Sequence, residues 1–79
     1  MYIHLGNNHI ISSEDIIVII NLQPPWSEDI LDIIQIAKDE KKLINISESG
    51  KEKSLVVCDN KVYKSPISST TLSRRSFNT

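Results

Sequence analysis

The chain has 79 residues, a formal net charge of −1 and one cysteine. This length supports one domain, residues 1–79, and a core that small usually needs help from a disulfide, a metal or oligomerisation. Cys58 has no disulfide partner, no apolar run reaches the roughly 20 residues of a membrane helix, and the near-neutral charge excludes a generic polyanion binder.

The first elements read as strands. "MYIHLG" alternates, with Ile3 and Leu5 on one face and Tyr2 and His4 on the other. Gly6, Asn7 and Asn8 supply turn chemistry before a short return strand, "HIIS". "SSED" interrupts, and "IIVII" at residues 16–20 is apolar and β-branched throughout. Such a strand is expected to be covered on both faces, one by the chain's own helix and the other by a partner chain.

"NLQPPW" is a loop, with Ser27 as helix N-cap and Glu28 and Asp29 suited to the first turn. Trp26, Ile30, Ile33, Ile34 and Ala37 form one helical stripe, so a helix is expected over residues 27–41. Lys38, Lys41 and Lys42 suit its C-terminal carbonyls, while Leu31 and Ile36 fall off the stripe. "KLINIS" reads as a strand and "ESGKEK" as a charged loop turning at Gly50. "SLVVC" and "KVYKS" form a hairpin about Asp59 and Asn60. Pro66 ends the sheet, and "SSTTLSRRS" is a short helix capped by Ser68, with Ile67 and Leu72 at hydrophobic-staple spacing. The last few residues are expected to fray. The fold class is α+β: a small antiparallel or mixed sheet, one central helix and a short C-terminal helix.

Little in the chain points to catalysis. His4, His9 and Cys58 are the only soft metal ligands, and no pair has a recognised spacing. Cys58, late in an apolar strand, reads as a small buried hydrophobe. No serine lies in a nucleophile elbow, and Gly6 and Gly50 are the only glycines, too few for a phosphate-binding loop. No catalytic residue, cofactor, metal or small-molecule substrate is expected. A lone cysteine without an export signal or membrane segment reads as a reduced, cytoplasmic protein.

Charge is the more informative signal. Residues 1–40 hold seven acids and one base, residues 41–79 eight bases and three acids, and no acid follows Asp59. Such a split suggests one face that repels anions and another that attracts them. The only arginines, Arg74 and Arg75, sit side by side near the C-terminus. Cations there stabilise a helix end by roughly 0.3–1 kcal/mol each without any ligand; alternatively they contact phosphate. One copy carries too few cations for tight DNA binding, but an oligomer that repeats the patch multiplies them.

"MYIHLGNNHIISSEDIIVIINL" at the start and "KSLVVCDNKVYKSPISSTTLSRR" at the end resemble the RemA and RemB family of bacterial extracellular-matrix regulators, nearest the RemB branch. The resemblance covers about residues 1–75, and "YIHLG" and "YKSPISSTTLSRR" are its specific parts. It implies a small α+β subunit that assembles into a ring, with subunit pairing like that of LytTR DNA-binding domains. It also implies a transcriptional activator of biofilm-matrix operons that bends DNA around the ring through arginine-rich loops. Two positions depart from the RemA branch. Asp15 stands where that branch has arginine, and Lys51 and Glu52 stand where it has adjacent arginines after a loop glycine.

The sequence therefore points to a homo-oligomeric transcription regulator that binds double-stranded DNA through Lys51, Lys53, Arg74 and Arg75. The competing reading is an oligomeric interaction or scaffold protein that does not touch DNA, which the acid at Asp15 favours.

Overall fold

The computed structural model describes residues 1–77. Strands β1 (Tyr2–Gly6) and β2 (His9–Ser12) form a separate antiparallel hairpin. Asn7 and Asn8 both take positive φ, 46° and 67°, as the two central residues of a type I′ hairpin turn must. Asparagine tolerates that conformation better than most residues, which is why the turn forms here. The Ser12 hydroxyl then accepts the Glu14 N–H at 3.3 Å and starts a 3-10 turn, Ser13–Asp15.

The remaining elements are β3 (Ile16–Asn21), α1 (Glu28–Asp39), β4 (Leu43–Asn45), β5 (Ser54–Cys58), β6 (Val62–Ser65) and α2 (Ser69–Phe77). Four strands make one mixed sheet in the order β3-β5-β6-β4. The β3–β5 and β5–β6 pairs are antiparallel and the β6–β4 pair is parallel. The fold is thus α+β with two helices, as the patterning indicates. Asp59 and Asn60 make the β5–β6 turn, closed by Cys58 N–H donating to Lys61 O at 2.8 Å.

Each face of this sheet carries cover from within the chain, where the "IIVII" pattern assigns the second face to a partner chain. Val56 and Cys58 point to one face, where Ile3 and Leu5 of the hairpin and Leu72 of α2 cover them. Leu55 and Val62 point to the other, where Trp26, Ile30, Ile33, Ile34 and Ala37 of the central stripe cover them. The difference has a physical cause. A run of β-branched residues signals strand and apolarity, but not the strand's place in the sheet. β3 is an edge strand, and none of residues 16–20 is fully buried.

Helix α1 starts at its expected cap and ends two residues short of the expected Lys41. The Ser27 hydroxyl accepts the Ile30 N–H at 3.3 Å as N-cap. At the other end Lys41 has φ 59°, its N–H donates to Lys38 O at 3.1 Å, and Lys42 N–H donates to Ala37 O at 2.8 Å. That pair of bonds is a Schellman motif, built with lysine where glycine is usual. Trp26 is half-buried ahead of the helix, its indole N–H donating to Leu22 O at 2.7 Å. Helix α2 starts as expected, the Ser68 hydroxyl accepting the Thr71 N–H at 3.2 Å. The expected fraying concerns Asn78 and Thr79, which lie outside the described residues.

The hairpin shares no backbone ladder with the four-stranded sheet, so side chains must dock it. The fully buried Ser65 donates its hydroxyl to Leu5 O at 2.7 Å and accepts the Ile67 N–H at 3.1 Å. Its cross-strand neighbour Ser54, also fully buried, donates to Ile67 O at 2.7 Å. Asn7 donates its amide to Ile46 O. A Cβ at Gly6, where φ is 106°, would meet the Pro66 ring at 3.0 Å, so glycine allows the close approach.

Two substitutions test these points. Ser65→Ala leaves a buried carbonyl and a buried N–H without a partner and should cost about 2–3 kcal/mol in chemical denaturation. An unchanged midpoint would mean that the hairpin docks without help from the Ser65 hydroxyl. Lys41→Gly removes a left-handed β-carbon and should stabilise by about 0.5–1 kcal/mol, read as a higher thermal midpoint.

Candidate functional site

The four candidate cations do not form one cluster. Lys51 and Lys53 lie in the connection from β4 to β5, and Arg74 and Arg75 in the last turn of α2. The backbone of Lys53 is fixed on both sides: its N–H donates to Ser65 O at 2.9 Å, and its carbonyl accepts the Leu22 N–H at 3.0 Å. Lys53 therefore stands beside residues 65–68, at the N-terminal end of α2. Arg75 reaches β1, donating from Nη1 to His4 O at 3.2 Å. From Ser68 to Arg75 the helix axis advances roughly 10 Å, so the two pairs stand at opposite ends of α2.

Each pair has one committed and one free member. Lys51 Nζ lies 3.0 Å from Glu48 Oε2, an exposed pair of small energetic weight. Lys53 is exposed, and no carboxylate lies within salt-bridge distance of it among the described residues. Arg75 ties α2 to the hairpin, so one of its five guanidinium donors has a structural task. Arg74 is exposed, and among the described residues it has no carboxylate partner.

Sequence reasoning missed Lys64. Its ammonium sits over the Trp26 ring, 5.8 Å from the centroid, and so braces the loop before α1 from β6. No spacing rule could have found this contact, because 38 positions separate the two residues in the chain.

The opposite end of the sheet is acidic. Asp15, at the end of the 3-10 turn, accepts the Asp59 N–H on its carbonyl at 3.3 Å. Asp15, Asp59, Cys58 and Tyr63 line a shallow cleft of about 250 Å³ there. The Cys58 thiol is pushed up to about 11 by burial first, then by the Asp15 and Asp59 carboxylates. Burial, Cys58 and Asp15 likewise raise the Tyr63 phenol. Lys61 lines the same cleft and offsets part of the carboxylate charge. No group of three or more metal-ligating side chains occurs among the described residues.

The thiol gives a direct test. Its value is about 11 in the folded chain against 9.0 unperturbed, so the folded state favours the protonated form. The stabilising contribution is full below pH 9.0 and falls away as pH rises through about 11. A denaturation series across that window should show stability decreasing, and Cys58→Ala should remove this part of the slope. Alkylation of Cys58 at pH 7.5 should be slow in the folded protein and fast in denaturant.

Two comparisons with known proteins bear on the whole chain. The family model described as "RemA-like: Extracellular matrix regulatory protein A-like" matches residues 2–75. "Extracellular matrix regulatory protein B" of Bacillus subtilis (strain 168) is 36% identical over 75 residues, covering 95% of this chain and 89% of that protein. The match runs over nearly the full length of both chains, and the chain belongs to the RemA-like family, on its RemB branch.

Proposed function

We propose that this chain is a regulator of extracellular-matrix genes that works as a ring-forming oligomer and binds double-stranded DNA. The relative's name carries the regulatory part of this reading. The DNA-binding part rests on Lys53 and Arg74, two exposed cations without a carboxylate partner among the described residues, at the two ends of α2. In a ring these positions recur with each subunit, and electrostatic affinity grows with the number of phosphates neutralised.

The contact would be to the DNA backbone and its deformability, not to base edges. Helix α1 exposes Glu28, Asp29, Asp32 and Asp39, a face that phosphates repel. Helix α2 has nine residues, and Leu72 at its centre is fully buried, so it cannot leave the core to enter a groove. Recognition by shape and bending remains for such a surface.

A second reading is favoured by Asp15 and Asp59, which make one end of the sheet acidic. In that reading the oligomer binds protein partners and leaves DNA alone. Gel-shift titrations at several salt concentrations separate the two. The Lys51→Ala/Lys53→Ala and Arg74→Ala/Arg75→Ala variants should both bind matrix-operon promoter DNA more weakly than wild type. Each should flatten the salt dependence by about 1–2 in slope per engaged subunit. Among single variants, Lys53→Ala and Arg74→Ala should flatten it more than Lys51→Ala and Arg75→Ala, whose side chains already have intramolecular partners. Equal slopes for all variants, or no wild-type binding at low salt, would favour the protein-partner reading.

A further inference from the structure

The outer edge of β3 lacks a partner within the chain. β3 pairs only with β5, and no other backbone group among the described residues bonds to it between Ile17 and Asn21. The Leu22 N–H donates to Lys53 O, across from β3's last residue. In an antiparallel ladder the direction of these groups alternates. Ile20 and Val18 therefore also turn their N–H and C=O toward β5, and Ile19 and Asn21 turn theirs outward.

The side chains at this edge are equally bare. Val18 and Ile20 share a face with Leu55 and Val57, the face that α1 covers. Helix α1 packs nearest β4, at the far edge of the sheet. Val18 is consequently 42% exposed, and Ile17, at the bulge between Ile16 and Val18, is 63% exposed. An apolar strand edge with free backbone groups is a template for another strand, and folded proteins rarely leave one open without blunting it with charge or proline. Residues 16–20 contain neither, and the bulge between Ile16 and Val18 leaves Val18 to Asn21 in regular ladder geometry.

We infer that β3 pairs antiparallel with β3 of a second copy of this chain, about a two-fold axis at Ile19. Three observations select that occupant. First, both copies present Ile19 and Asn21 outward, so Ile19 meets Ile19 of the second copy in hydrogen-bonding register. Second, that register sets Val18 beside Ile20 of the second copy on the α1 face, covering the exposed valine twice over. Third, charge is complementary. Glu14 and Asp15, just before β3, come alongside the other copy's residues 23–24, next to Leu22, whose N–H donates to Lys53 O one strand away. Parallel pairing would instead set Glu14 and Asp15 against their own copies.

The pairing gives one eight-stranded sheet across two subunits and rests on the oligomeric reading above, for which it supplies one contact. A two-fold contact closes on itself, so a ring needs a second interface elsewhere.

The test combines mass and cross-linking. Light scattering after size exclusion should give the wild type a mass of at least twice the 9.0 kDa chain. Val18→Lys, a change at an exposed position, should keep the wild-type far-ultraviolet circular dichroism and weaken association at least tenfold. In a Cys58→Ala background, Ile19→Cys should cross-link to a covalent dimer under mild oxidation, since hydrogen-bonded partners have Cα atoms about 5.5 Å apart. A wild type that stays monomeric at high micromolar concentration overturns both the oligomeric reading and this contact. An oligomeric wild type whose Val18→Lys variant keeps full mass overturns the contact alone. Loss of mass in Val18→Lys without an Ile19→Cys cross-link also overturns it, in favour of a head-to-tail pairing of β3 with β4.

Discussion

A buried hydroxyl joins the two halves of this protein at the centre of their contact. The β1–β2 hairpin and the four-stranded sheet have no ladder in common, and Ser65 bridges them across 60 positions of sequence by donating to Leu5 O. The same oxygen accepts the Ile67 N–H, and Ser54, opposite Ser65 in the sheet, holds the Ile67 carbonyl. Ile67 is thereby fixed on both backbone groups just before α2 begins. The start of α2, the seat of the hairpin and the end of β6 follow from one pair of buried serines. Both serines are fully buried, so each of these bonds matters more for what its loss would leave unsatisfied than for what it adds.

That junction also sets the charge geometry. Because Ser65 anchors the segment before α2 and accepts the Lys53 N–H on its carbonyl, Lys53 is placed at the start of the helix. Because the hairpin is docked beside α2, His4 O comes within reach of Arg75 at the other end. Arg75 thus does both things that its position suggests: it finishes a helix and ties the helix down, while Arg74 beside it stays exposed. Most acids lie on the outer face of α1 and around the Asp15–Asp59 end of the sheet, while Glu48 and Glu52 share the loop of Lys51 and Lys53.

The sheet is well covered where the chain can reach it and bare where it cannot. Helix α1 follows β3 but packs nearest the opposite edge, because the connection from β3 must cross the sheet to place β4 parallel to β6. A twelve-residue helix is narrower than four strands. The uncovered strip falls on β3, the most uniformly apolar strand of the chain. Apolar sequence and edge position are in conflict within one subunit, and the conflict is resolved if a second subunit supplies the missing strand.

The sequence by itself determined the elements and their apolar faces. Alternation marked β1, turn residues marked Asn7 and Asn8, the Trp26-to-Ala37 stripe marked α1, and Ser27 and Ser68 marked both caps. These are local signals, carried by periodicity and by hydrogen bonds that span two to four residues. The end of α1 was less legible, because its Schellman turn uses lysine where a glycine would have shown it. Family membership was also legible, since the opening and closing stretches are the specific ones. Only the tertiary structure decided that β3 lies at an edge, that the hairpin covers the second face, and that Lys53 and Arg74 stand apart. Strand order and docking depend on contacts between residues far apart in the chain, such as Ser65 with Leu5 and Trp26 with Lys64. No period or spacing in a single sequence encodes which distant strand a β-branched run will meet.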